Sequence, residues 1–191
     1  TEHIEEQHAI QMLAAGAEKK IEGLVLMSGM AIPGRELVLE QQQHVLGASN
    51  LPEAERAEKI ALQKQILEAA MTQKGLESLP GDVRGLVDTP WYRSLLIFDP
   101  AQTMTRVKQP ILILQGDRDV QMKPYHADRL GELGRARKKS GSTEVKHFPT
   151  LNHLLVPAQT GEVSEYATLE TRTISPEVAG AIADWVASVP R

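Results

Sequence analysis

The sequence contains no cysteine. That excludes disulfide staples, thiolate metal sites and cysteine nucleophiles together, and leaves packing as the source of stability. It also lacks any excess of positive charge: 21 Lys and Arg stand against 25 Asp and Glu, for a formal charge of −4. Binding to nucleic acid through phosphate contacts therefore has little electrostatic support. Long apolar runs are missing as well. Leu24-Val25-Leu26-Met27 and Ile111-Leu112-Ile113-Leu114 are among the longest, far short of the roughly 18 to 20 residues a membrane span needs. The opening Thr1-Glu2-His3-Ile4-Glu5-Glu6 has no basic region ahead of an apolar one and so does not read as a secretory signal. The expectation is a cytoplasmic protein with no nucleic-acid or membrane partner.

What is present is ordinary globular composition. With 191 residues, 41% of them hydrophobic and 24% charged, the chain fits one domain with a core of moderate size. There is no internal repeat and no low-complexity tract. The basic cluster Arg135, Arg137, Lys138 and Lys139 lies among Gly134, Ser140, Gly141 and Ser142 and reads as a solvated loop. No cofactor is expected. The histidines at 3, 8, 44, 126, 147 and 153 contain no His-Glu-x-x-His pattern, and His3 and His8 are badly spaced for one helical face, so no metal site is expected.

Three short runs bounded by Gly, Pro or Ser read as strands: residues 24–27, 110–114 and 143–148. The first two are continuously apolar, as in a parallel sheet covered on both faces, and the third alternates, which suits an edge. Helical patterns occupy residues 5–15, 124–133 and 176–189, the last opening on Ser175-Pro176. The stretch from Pro33 to Val107 holds no plausible central strand and is rich in Gln, Glu, Lys, Leu and Ala. Residues 51–74 carry an amphipathic stripe at Ile60, Gln63, Leu67 and Met71 with Gly75 near its end, and Thr89-Pro90-Trp91-Tyr92 opens a shorter helix. Roughly 70 residues of helix between two parallel strands exceeds what a crossover needs. The expected class is α/β: a partial parallel sheet of about three strands in residues 1–32 and 106–191, with a helical cap inserted at 33–105.

Chemistry concentrates after the second and third strands. Gln115-Gly116-Asp117-Arg118-Asp119 places Asp119 just past the carboxyl end of a buried strand, where catalytic groups of open α/β sheets collect. Alone, Asp119 reads equally well as a turn residue or a helix cap. Phe148-Pro149-Thr150-Leu151-Asn152-His153 brings a histidine one short loop after the next strand. The two in this order match the late part of a Ser…Asp…His series, in which the carboxylate orients the imidazole and the imidazole deprotonates the serine.

These motifs, with Gln159-Thr160-Gly161-Glu162, Ile174-Ser175-Pro176 and Asp184-Trp185-Val186 downstream and Gly23-Leu24-Val25-Leu26-Met27, Thr89-Pro90-Trp91-Tyr92 and Phe98-Asp99-Pro100 upstream, resemble the C-terminal half of bacterial α/β-hydrolase esterases of the dienelactone-hydrolase and prolyl-oligopeptidase-like group. The resemblance implies an α/β-hydrolase fold, small acyl-ester substrates, Asp119 and His153 as catalytic acid and base, and Asn152 as an orienting neighbour. It also implies a Gly-x-Ser-x-Gly elbow ahead of the first strand. The aligned stretch here is Glu2-His3-Ile4-Glu5-Glu6-Gln7, with Ile4 in the serine position and no glycine beside it. That stretch reads as a degenerate elbow, as a chance match, or, over Thr1 to Gln7, as a tail from an incorrectly placed start. Ser28 and Ser164 lack the elbow frame and read as turn or loop hydroxyls. The expectations are a truncated chain missing its nucleophile and inactive alone, which dimerises or pairs with a complementing N-terminal half through an unpaired sheet edge.

Overall fold

The computed structural model describes residues 4–138 and 140–189, with residues 4–8 described by their backbone alone. Three strands, β1 (Leu24–Met27), β2 (Ile111–Gly116) and β3 (Thr143–Phe148), form a parallel sheet in the order β1-β2-β3. The Pro-bounded apolar run of β2 takes the central place, and all six of its residues are buried. A strand covered on both faces has no position for a solvated side chain, which is why its sequence does not alternate.

Side chains alternate between the two faces of this sheet. Leu112 and Leu114 pack with Val178, Ala181 and Trp185 of α8 (Pro176–Ser188), and Val25 and Met27 join the same cluster. Ile113 points the other way, in register with Val145, whose side chain meets Gly131 of α7 (Tyr125–Arg135). On that side α1 (Ile4–Ala17) packs on β1, and α6 (Pro100–Met104) packs on α1 and α7. The architecture is α/β, with helices on both faces of a parallel sheet. Full burial of each β2 aliphatic side chain stabilises the fold by ~1.5–3 kcal/mol before entropy is counted.

The chain divides into two compact units, residues 1–31 with 100–191, and residues 32–99. The helical segment expected over 33–105 therefore ends earlier, because α6 packs with the sheet's helices. The second unit is helical throughout: α2 (Gly34–Gly47), α3 (Glu53–Thr72), α4 (Gly81–Val87) and α5 (Pro90–Ile97). Its core gathers Leu67, Ala70, Leu76, Val87 and Leu96. Thr89 caps α5 by accepting from the Tyr92 amide at 3.1 Å, with Pro90 in the first turn.

One expectation is overturned. Arg137 is a half-buried staple and not part of a solvated loop. Its guanidinium donates to the carbonyls of Gly134 (2.7 Å), Val107 (3.1 Å), Gln109 (2.9 Å) and Gly141 (3.2 Å) and to Thr143 Oγ1 (2.9 Å). Burial lowers its pKa from the ordinary value. Only a planar five-donor fork can tie these segments together, so lysine cannot replace it. Lys139, also assigned to that loop, lies outside the described residues.

A second constraint sits at the end of β2. A Cβ on Gly116 would collide with the carbonyls of Leu151 and Asn152. That absence of a side chain lets the turn after β2 lie against the loop after β3. The amides of Asp117 and Arg118 accordingly donate to Phe148 O and Leu151 O, both at 2.9 Å.

Two stability predictions follow from these contacts. Arg137→Lys will destabilise the protein by about 2–4 kcal/mol, read as a lowered urea midpoint with unchanged slope. Gly116→Ala will cost about 1–3 kcal/mol or more through forced separation of the two loops. A neutral result for either removes the role assigned to that residue.

Candidate active site

Asp119 and His153 meet at the carboxyl edge of the sheet. Asp119 Oδ2 lies 2.9 Å from His153 Nδ1, and the two side chains are 0% and 2% exposed. Each is carried by a loop following its own strand, and the contact of those loops at Gly116 brings the two side chains together.

The carboxylate divides its two oxygens between two tasks. Oδ1 accepts from the backbone amides of Gln121 (2.9 Å) and Met122 (2.7 Å), closing the turn that leads toward α7. Oδ2 faces the imidazole. The turn and site readings of Asp119 are thus both satisfied by the same side chain. Both carboxylate oxygens are thus engaged, and the contact to Oδ2 holds the ring of His153 through Nδ1. No hydrogen bond to Nε2 occurs among the described residues.

The loop holding His153 is tightly closed. Leu151 bridges Pro157, the Asn152 amide donates to Val156 O at 3.0 Å, and Leu155 adopts a left-handed backbone at φ 55°. Asn152 Oδ1 accepts from the Leu154 amide at 2.9 Å and from Val156 at 3.4 Å. Asn152 therefore orders the loop backbone and does not bond the imidazole.

Ser28 follows β1 directly, with φ 53°. Its amide donates to Leu114 O at 2.8 Å, and its buried hydroxyl reaches the backbone carbonyl of His153 at 3.4 Å. Ser164 is exposed on a 3-10 turn, Val163–Thr168. Glu2 and His3 lie outside the described residues, and Ile4 to Gln7 form the first turns of α1.

The other described histidines differ in kind. His147 has a carboxylate at each ring nitrogen, Asp117 at 2.6 Å and Asp128 at 3.2 Å, so neither nitrogen is open to act as a base. His126 is fully buried and uses Nδ1 to accept the Ala31 amide at 3.0 Å.

Sequence reasoning missed three residues around the pair. Gln115, fully buried on β2, directs its side-chain amide at the acid-bearing turn. Its signal was visible as the one amide continuing an apolar run. Gln121 Nε2 donates to Tyr166 Oη at 2.6 Å, a pairing across a long separation that no local pattern announces. The Tyr166 phenol is pushed up to about 12, by burial first and then by the negative charge of Asp119. The loop carrying Tyr166 is knitted by the Glu165 carboxylate. Its pKa is held down to about 2 by the Thr160 hydroxyl and then the Gln159 amide.

No protein-family model and no curated protein matches the sequence. Solved structures resemble it at low identity. One is a Mycobacterium tuberculosis H37Rv protein described as a non-heme bromoperoxidase (18% identity, 95% of this chain and 63% of that one, TM-score 0.45). Another is an α/β-hydrolase enzyme from a Medee basin deep-sea metagenome library (14%, 92% and 59%, TM-score 0.44). A third is an α/β-fold family hydrolase from Bacillus anthracis str. Sterne (14%, 84% and 62%, TM-score 0.42). The chain thus spans less than two thirds of the length of each of these structures. At these values no activity follows from the likenesses. The α/β class stands on the parallel sheet and the helices that flank it.

Proposed function

We propose that this chain carries the acid and base of an α/β-hydrolase-type serine esterase acting on small acyl esters. The observation that supports this reading is the buried 2.9 Å contact between Asp119 Oδ2 and His153 Nδ1, with Nε2 left open. In such a reaction Nε2 takes the proton of a serine hydroxyl as its oxygen attacks the ester carbonyl. The imidazolium, held by Asp119, then returns that proton to the departing alkoxide, and water repeats the cycle on the acyl-serine.

The reaction needs a serine hydroxyl at Nε2, and we propose that another segment supplies it. Ser28 is engaged by the His153 backbone carbonyl, and a peptide carbonyl cannot serve as its general base. The 191-residue chain alone is therefore expected to hydrolyse p-nitrophenyl acetate no faster than buffer. Mixed with an N-terminal esterase segment bearing Gly-x-Ser-x-Gly, it is expected to gain turnover that falls about 10³- to 10⁴-fold in His153→Gln or Asp119→Asn. Turnover by the chain alone that a fluorophosphonate abolishes would contradict the first expectation. Restored turnover indifferent to His153 would contradict the second.

A second reading is association, favoured by the outer edge of β1, which carries no strand among the described residues. A short, apolar, largely covered strand with one unpaired edge is a template for another chain. The expected outcome is a dimer or a complex with a complementing half by light scattering, with slow amide exchange on β1 as well as β2. A monomer with slow exchange confined to β2 and β3 would exclude it.

A further inference from the structure

We infer that Gln115 is a positioning residue for the Asp119–His153 pair. This inference rests on the acid–base reading proposed above. Gln115 occupies the carboxyl end of β2 with no exposed surface, a place where an aliphatic residue would continue Ile111-Leu112-Ile113-Leu114. Its Nε2 lies 2.9 Å from Gly116 O, 2.9 Å from Met122 O and 3.3 Å from Asp119 Oδ2. All three neighbours are acceptors. The opposite amide orientation would point Oε1 at two carbonyls and a carboxylate, so the NH₂ must face the turn.

That orientation leaves Oε1 buried with no partner among the described residues. Burying an unpaired amide oxygen is unfavourable, because it gives up its bonds to water and gains none. Packing alone therefore disfavours glutamine here, and its donor group is what distinguishes it from an apolar residue of the same volume. The donor does two things. It bridges the first residue of the acid-bearing turn, Gly116, to the last, Met122, which fixes the turn that aims Oδ2. It also places an N–H donor beside Oδ2, the same oxygen that faces the imidazole. Gln115 touches no reacting atom and acts through Asp119.

The test uses the 191-residue chain, the replacement Gln115→Met, which keeps volume and removes the donor, and proton NMR of the His153 Nδ1–H. In the wild type this proton is expected as a low-field resonance that Asp119→Asn abolishes. Gln115→Met is expected to lose it too while amide dispersion and thermal unfolding show a folded protein. A merely structural glutamine would alter stability and leave the resonance in place, which would overturn the inference. Should Gln115→Met fail to fold, Asp119→Asn supplies the second reading. The Gln115 side-chain NH₂ resonances must shift in that variant, and unshifted resonances overturn the inference. Absence of the low-field proton in the wild type would instead count against the acid–base reading itself, a result distinct from its retention in Gln115→Met.

Discussion

A carboxylate with no exposed surface must be surrounded by donors, and in this protein that requirement organises the sheet's carboxyl edge. Asp119 receives two backbone amides from its own turn, a side-chain amide from the strand before it and an imidazole from the loop after the next strand. An isolated ionised acid in this position would be strongly disfavoured by desolvation. These partners engage both carboxylate oxygens, and one of them holds His153 Nδ1 against Oδ2. The geometry of the loops is thus tied to the orientation of the imidazole.

The sheet supplies the distance. β2 and β3 run parallel in a register that ends with Gly116 opposite Phe148, and the missing side chain at Gly116 allows the two following loops to touch backbone to backbone. Behind them a second contact keeps the acid turn in place. Gly161 adopts φ 79° where a Cβ would collide with the Arg118 carbonyl, and the Arg118 guanidinium donates to Ala158 O. The glutamate-knitted loop of residues 157–168 is therefore a backing plate for the turn, not a separate feature. Two glycines and one buried amide accomplish what a longer loop would leave to chance.

Much of this was legible in the sequence for identifiable reasons. Continuous apolar runs mark doubly covered strands, so β1 and β2 stood out, and Ser175-Pro176 marked α8 because proline fits a helix's first turn. The expected pairing of Asp119 with His153 could be read because each follows its own strand at the same sheet edge. What could not be read depends on distant contacts. Arg137 looks like a loop cation until five acceptors from three segments converge on it. Gln121 and Tyr166 have no shared local pattern. Asn152 was expected to orient the imidazole, yet its carbonyl oxygen is used up by the backbone of its own loop. Nor could spacing reveal that Ser28, strained at φ 53° beside the histidine, addresses its peptide carbonyl.

We propose that Asp119 orients His153 through Nδ1 and leaves Nε2 open. The most direct test is the ¹⁵N chemical shifts of the two ring nitrogens of His153 at neutral pH. The account predicts a protonated, amine-like Nδ1 and an unprotonated, pyridine-like Nε2. The reverse tautomer, or a fast-exchanging mixture of the two unchanged by Asp119→Asn, would contradict it.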